Sequence, residues 1–365
     1  MDNEFNTVFH IWLTLLTGTK RYELRKKLLE DFQTPEAVYN LKSSKDFSPE
    51  LMKKNELISR ILDYSLKKKA TEIFQRARKD KISIVSFDDD DYPRYLKELY
   101  SPPLVLYYRG DISHNYRYSV SVVGSRNADG YGKKVAYDIS GDLARMGMMI
   151  ISGMARGIDS YAHLGALDSQ GRTIAVLGCG VDFVYPPENK KLYDRIINNG
   201  AVLSDYLPGS HPQKQNFPAR NRIIAGLSMG TLVVQAGKSS GALITIDNAL
   251  RENRTVYAIP GNVNNELSHG TNSLIKSGCV CVTCASDIID DMGIEVISLK
   301  KQKQNIGDLN ENQKLVYSAL EKNASSMEEV CEITKLDVPS ILSAITVLKV
   351  NGLLEGASFG SYVVK

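Results

Sequence analysis

SDYLPGSHPQKQNFPARNRIIAGLSMGTLVVQAGKSSGALITIDNALRENRTVYAIPGN, residues 204–262, decides the fold. Two apolar runs, Thr231-Leu232-Val233-Val234 and residues 255–259, are bounded by loops of Gly, Ser, Pro, Lys and Arg. Runs this short, punctuated by glycine and proline, read as buried strands. The stretch 242–251 between them reads as a helix. In a parallel α/β sheet such loops gather at the carboxyl ends of strands, where these folds bind ligands. Here they carry the cations Lys214, Arg220, Arg222 and Lys238 and the hydroxyls Ser239 and Ser240, with no evident acid–base pair. That combination points to a phosphate-rich ligand.

The same alternation extends in both directions. Strand cores are predicted at 120–123, 149–151, 174–177, 202–203, 232–234, 256–259 and 280–282, and helices at 130–145, 158–169, 192–198, 242–251 and 271–277. Strands separated by helical segments imply right-handed crossovers and a doubly wound α/β sheet. Upstream, residues 1–80 read as a helical domain. Gly18 stops its first helix, and Thr34-Pro35-Glu36 and Ser48-Pro49-Glu50 look like helix starts. A basic helix carrying Lys67, Lys68, Lys69, Arg76, Arg78 and Lys79 follows, and a solvated face explains it more simply than nucleic-acid contact. The sheet domain spans 81–290, with 81–118 as its entry connector, and 291–308 form a polar linker.

Residues 309–365 show three short amphipathic helices and a hairpin-like tail, the pattern of a winged helix. The usual reading of that pattern is duplex DNA with one helix in the major groove. However, residues 308–365 hold eight acidic side chains against five lysines, so the electrostatic basis for DNA affinity is missing. A protein-contact or regulatory role fits this module better.

Composition sets outer limits. The 365 residues are 43% hydrophobic and 24% charged with a net charge of +3, as in a globular protein of two or three domains. Any nucleic-acid surface is therefore a local patch. Five cysteines, an odd number, suit a reducing compartment. The apolar run at 11–16 is too short to span a bilayer and lacks the basic flank of a signal peptide, so the expected location is the cytoplasm, away from membranes.

Three loops carry the candidate chemistry. Val123-Gly124-Ser125-Arg126 and Ser152-Gly153-Met154-Ala155-Arg156-Gly157 each join a strand end to glycines and a guanidinium, while Leu177-Gly178-Cys179-Gly180 repeats only the glycines. Glycine lets backbone N–H groups approach a phosphate, a following helix N-terminus adds partial positive charge, and arginine matches phosphate oxygens. Phe217, between Lys214 and Arg220, is either core or a platform for an unpaired base. A dinucleotide fingerprint is absent because Phe183 stands where the third glycine belongs, and no strand is followed by a P-loop. Cys279, Cys281 and Cys284 are spaced for metal but read as structural, the first two as small core residues of a strand. His163 reads as a buried hydrogen-bonding residue, and no paired acid–base arrangement can be defended.

These motifs together resemble the DNA-processing protein A family (DprA, also called Smf) over nearly the whole chain. The resemblance rests on Asp91-Tyr92-Pro93 with Pro102-Pro103, Gly124-Ser125-Arg126, and Ser152-Gly153 through Asp159. It continues through Ala175 to Asp182 with Tyr185-Pro186, Phe217-Pro218-x-Arg220-Asn221-Arg222, Ser240 to Thr245, and Pro260-Gly261. It implies an extended Rossmann-like domain between a sterile-alpha-motif-like (SAM-like) helical domain and a winged helix. It also implies a homodimer without catalytic activity or cofactor that binds single-stranded DNA and loads the recombinase RecA in natural transformation. The family's pocket, carried over by motif, falls on Arg126, Lys214 and Phe217. Asp205 and Gln235 stand where the family usually has glutamates. The expected nucleic-acid-binding set is Gly124, Ser125, Arg126, Gly153, Arg156, Lys214, Phe217, Arg220, Asn221, Arg222, Lys238 and Ser240, with no catalytic or metal-binding residue. The rival expectation is an enzyme or sensor that takes a small nucleotide in the same pocket.

Overall fold

The order of strands in the sheet decides where a ligand can sit. The computed structural model describes residues 2–18, 22–43, 47, 55–112, 118–294, 309–321, 327–350, 354–356 and 362–364. Its contacts divide at residue 295 into two units. Nine strands of the first unit form one sheet: β1 (Ser83–Ser86), β2 (Val105–Gly110), β3 (Ser119–Val123), β4 (Met149–Ser152), β5 (Thr173–Val176), β6 (Gly200–Ser204), β7 (Gly230–Val233), β8 (Thr255–Ala258) and β9 (Val280–Cys281). Their order is β1-β2-β6-β5-β4-β3-β7-β8-β9. Strands β3 to β9 are mutually parallel, and β1 and β2 extend the β6 edge as antiparallel strands. The chain therefore builds outward from β3 through β4 and β5 to β6, returns to the other side of β3, and builds outward again. Between β3 and β7 the direction of winding reverses, and a crevice opens at such a point.

The inner strands β3 to β7 are buried on both faces, so they read as continuous apolar runs. Along β3, Val120 and Val122 face helices Gly130–Arg145, Ile158–Asp168 and Ala285–Asp291. Val123, Ile151, Ile174, Val176, Leu203 and Val233 face the opposite layer, built on helices Asn216–Gly226 and Ala242–Arg251. Ser119 and Ser121 alternate with the valines and are fully buried. Their hydroxyls donate to Leu227 O at 3.0 Å and Ile224 O at 2.5 Å. Those carbonyls lie at the end of a helix and would otherwise lack partners.

The N-terminal helices Asp2–Thr17, Tyr22–Phe32, Pro35–Tyr39, Asn55–Ile61 and Tyr64–Lys79 share one core with this sheet. Ile11, Trp12, Leu16 and Ile61 belong to the same cluster as Tyr107, Leu177 and Val202. Gly18 ends the first helix with a left-handed φ of +68°, and the Thr34 hydroxyl accepts from Ala37 N at 3.1 Å as an N-cap. Lys67 departs from the expected solvated face: it is half-buried, with its Nζ 4.6 Å from the Tyr39 ring centroid. The predicted helix start at Ser48-Pro49-Glu50, and residues 295–308 of the predicted linker, lie outside the described residues.

The second unit has helices Glu311–Glu321, Met327–Thr334 and Val338–Val350, followed by the antiparallel pair β10 (Leu354–Gly356) and β11 (Tyr362–Val364). Val316, Leu320, Val330, Ile341, Ile345 and Leu348 form its core. Among the described residues no helix is long and apolar enough to cross a membrane.

Besides the single turn Arg94–Lys97, two helices of the sheet domain went unread in the sequence. Ala285–Asp291 is short, and Asn216–Gly226 places Arg220 and Arg222 on a helix instead of a loop. Pro218 is compatible with that helix because first-turn N–H groups need no intrahelical acceptor. Its apolar stripe is concealed because the inward position at its middle belongs to Arg220, which is buried.

Helices Gly130–Arg145 and Ile158–Asp168 touch at Gly165, where a Cβ would overlap the Tyr137 carbonyl oxygen. Gly165→Val should therefore force the pair apart and lower stability by about 1–3 kcal/mol, read as a reduced urea midpoint at an unchanged m-value.

Candidate nucleic-acid interface

A cleft of about 540 Å³ lies at the carboxyl ends of β3 to β7. Its walls come from five successive strand exits: residues 123–127 after β3, Ala155 and Asp159 after β4, Tyr185 after β5, residues 214–224 after β6, and residues 240–245 after β7. A smaller hollow of about 40 Å³ adjoins it, lined by Arg126, Gly153, Ala155, Arg156, Tyr185, Pro186 and Phe217.

Eight of the twelve expected residues line the main cleft: Gly124, Ser125, Arg126, Lys214, Phe217, Arg220, Asn221 and Ser240. Gly153 and Arg156 line the hollow, while Arg222 and Lys238 line neither. The cations differ in what they can offer. Arg126 and Lys214 are exposed and form no ion pair among the described residues. Arg156 is bound through its Nε to the Glu188 carboxylate, and Arg222 donates to Asp205 at 2.6 Å and to Ser101 O at 2.7 Å. Both are already neutralised. Asp205 is consumed by that pair, being 6% exposed.

Arg220 is buried under the cleft floor and donates through Nη1 to Gly153 O at 3.0 Å and to Val176 O. Burial pulls its pKa down to about 10, opposed by the Asp159 carboxylate, so it stays charged at neutral pH. Asp159 accepts from the N–H groups of Gly153 at 3.2 Å and Ala155 at 3.3 Å. Burial holds its pKa above the usual carboxylate range, against the pull of Arg220. Asp159 is the one carboxylate among the residues lining the cleft, and it is turned into this internal network.

The glycines act differently from the expectation. Gly153 is required because a Cβ would lie 2.6 Å from the Arg220 guanidinium. Gly157 has φ of +74°, and a Cβ there would collide with the carbonyl of Ser125. Gly178 leaves room for the Phe217 ring, whose Cδ1 would be 3.0 Å from an added Cβ. All three serve the packing of one loop against another. The expected helix dipoles also shift. The Asp129 side chain caps the helix after the first loop, accepting from Gly132 N at 2.9 Å, and Asp159 occupies the first turn of the next helix. The helices whose first turns line the cleft without an acid are Asn216–Gly226 and Ala242–Arg251.

One residue missed in the sequence joins the site. The Tyr185 ring, 39% exposed, lies 5.2 Å from that of Phe217 at an interplanar angle of 38°. The Arg126 guanidinium sits 5.5 Å above Phe217. Phe217 is half-buried, so it is both packed and presented. Tyr185 has no local signal, because only the fold brings the β5 exit beside the β6 exit. Gln235 is buried away from the cleft, where its Nε2 donates to Asp129 Oδ1 at 2.9 Å. Among the described residues no His/Cys/Asp/Glu cluster could hold a metal ion. Cys281 is exposed, which corrects its reading as a core residue, while Cys279 is half-buried and packs against the core.

His163 is fully buried, and its Nδ1 donates to Thr173 Oγ1 at 2.6 Å while that hydroxyl donates to Ile150 O at 2.7 Å. Burial, helped by the Arg220 charge, pushes its pKa down to about 3.

A family model described as DNA recombination-mediator protein A matches residues 83–293. The DNA processing protein DprA of Streptococcus pneumoniae is 45% identical over 201 residues, covering 55% of this chain and 71% of that one. The X-ray structure of DprA from Streptococcus pneumoniae superposes with a TM-score of 0.63 at 34% identity, covering 78% of this chain and 98% of that one. A structure of DNA processing protein A from Helicobacter pylori, described for its single-stranded DNA binding mode, gives a TM-score of 0.53 at 30% identity, covering 58% of this chain and 95% of that one.

Two expected outcomes follow from the buried groups. Arg220→Met leaves Asp159 without its counter-charge and two carbonyls without donors, so urea denaturation should show a loss of about 3 kcal/mol or more. His163 is protonated more readily in the unfolded chain, so stability should fall as pH drops below the unfolded value of 6.5. By about pH 5 the loss should approach about 2 kcal/mol, and His163→Gln should flatten that part of the profile relative to wild type.

Proposed function

The chain belongs to the DNA recombination-mediator protein A family, and on that premise we propose that it binds single-stranded DNA in the cleft without catalysing a reaction. One observation carries this reading. Arg126 and Lys214, without ion pairs among the described residues, line the same cleft as the half-buried Phe217 and the exposed Tyr185, and the lining carboxylate is turned inward. Cations spaced around stackable rings suit a flexible polyanion whose bases are free, and every base has a face to stack. Gly124, Ser125, Asn221 and Ser240 supply hydrogen-bonding groups along the same walls, and Gly153 and Arg156 do so in the hollow. Arg220 acts from beneath as a fixed charge and scaffold, Lys238 adds field at longer range, and Arg222 is paired with Asp205.

In the further reading, this chain is a cytoplasmic homodimer that loads the recombinase RecA onto incoming single strands during natural transformation. Family membership supports that reading. The N-terminal helices are read as the SAM-like domain. The three helices and antiparallel strand pair of the second unit are read as a winged helix that contacts protein, because its acidic balance opposes a DNA backbone. A small nucleotide is the second reading, favoured by a cleft volume within the range of small-ligand pockets.

Fluorescence anisotropy of labelled oligo-dT titrated at several salt concentrations separates the two. The wild type should bind with log K falling as log salt rises, by about 0.7 per neutralised phosphate. Arg126→Ala and Lys214→Ala should each weaken binding and reduce that slope, and Phe217→Ala should weaken it by about 1–3 kcal/mol with little change of slope. Equal affinity of wild type and variants would remove the cleft as a DNA site, and thermal shift with mononucleotides would then take over.

A further inference from the structure

A second ring pair stands outside the cleft lining, Phe183 on the exit loop of Tyr185 and His211 on the exit loop of Lys214. Phe183 and His211 have ring centroids 4.5 Å apart at an interplanar angle of 44°. His211 is exposed, and Phe183 is half-buried, packed on the core beneath it. Backbone hydrogen bonds hold the two loops together: Gly180 N donates to Ser210 O at 2.9 Å, and Gly209 N donates to the Asp182 carboxylate at 2.8 and 3.0 Å. Phe183 N in turn donates to Gly180 O at 3.0 Å, so the ring rests on fixed backbone.

A cation marks the far end. The Arg76 guanidinium, on helix Tyr64–Lys79, lies against Gly209, 3.3 Å from where a Cβ of that glycine would be. Its side chain is 60% exposed and, among the described residues, its one ion pair is a long contact of 3.5 Å with Asp80. Lys79, one turn along, is exposed as well. Along the run from Gly209 to Lys214 lie in succession the Arg76 guanidinium against Gly209, the Phe183 ring against His211, and Lys214. A chain of that length spans at most about 18 Å. A stacked single strand rises about 3.4 Å per nucleotide, so about five nucleotides or fewer would cover it. Neither ring lines the cleft, and packing alone does not require an exposed imidazole over an aromatic face.

We propose that the Phe183–His211 pair, with Arg76 beyond it, is a second base-stacking subsite onto which a single strand passes as it leaves the cleft beside Lys214. This rests on the reading of the cleft as a single-stranded DNA site. Its occupant is a continuation of the same strand, because His211 lies three residues from the cleft residue Lys214 on one exit loop and the arrangement again joins cations to a ring pair. The basic face of the N-terminal helix thereby gains a partner, the phosphates of the outgoing nucleotides.

The test compares oligo-dT of about 5 and about 20 nucleotides on the full chain. His211→Ala should weaken the longer oligonucleotide by about 5- to 50-fold while leaving the shorter one unchanged. His211→Tyr, which keeps a ring, should restore the longer one. Arg76→Gln should lower the salt slope for the longer oligonucleotide by about 0.7 and leave that of the shorter one unaltered. If Arg126→Ala weakens both lengths but His211→Ala weakens neither, or both equally, the subsite is overturned and the cleft stands. If wild type binds neither length, both readings fall together.

Discussion

A charged guanidinium with almost no access to water holds the ligand-facing edge of this protein together. Removing such a group from water costs several kcal/mol in an effective protein environment, and the cost is met only when its donors and its charge are answered. Arg220 is answered by the carbonyls at the ends of two neighbouring strands and, through space, by the Asp159 carboxylate. Gly153 and Asp159 follow β4, Val176 ends β5 and Arg220 itself follows β6, so the same interaction sets the relative positions of these three exits. Phe217 precedes it by three residues on the same helix, with the Arg220 guanidinium 6.0 Å from its ring centroid. The aromatic face of the cleft is thus placed by the buried charge beneath it.

The neighbouring glycines follow from that constraint. Gly153 yields the space the guanidinium occupies, Gly157 lets two loops meet backbone to backbone, and Gly178 lets Phe217 lie close to the sheet. A loop with two glycines and an arginine suggests a phosphate cradle by itself. In the assembled protein the glycines are spent on packing, and the exposed guanidinium of Arg126 faces the cleft. Charge is sorted the same way: Glu188, Asp205 and Asp182 each hold an arginine or a backbone amide. The result is a cleft of net positive character in a chain whose overall charge is close to balanced.

The sheet supplies the remaining condition. Reversal of winding between β3 and β7 opens a crevice, and every strand exit that lines it belongs to a crossover helix anchored on one of two apolar layers. The antiparallel β1 and β2 cover the β6 edge and draw the N-terminal helices into one core with the sheet. That shared core brings Arg76 to the loop of Lys214.

Much of this was legible in the residues alone, because the relevant forces are local or periodic. Seven short apolar runs between helical segments determine parallel strands, the inner ones buried on both faces, and Gly18 and Thr34 mark a helix end and a helix start by backbone and capping chemistry. Arg126, Lys214 and Phe217 were recognisable as cations and a ring at strand exits. Whether a cation is free depends on what the fold brings beside it, and sequence spacing carries no such information. Only the tertiary structure decided that Arg222 and Arg156 are paired, that Arg220 is internal, and that Tyr185 joins Phe217 across two exits. The helix Asn216–Gly226 escaped notice for the same reason: its inward residue is an arginine, and the groups that answer its charge are distant in sequence and adjacent only in the folded chain.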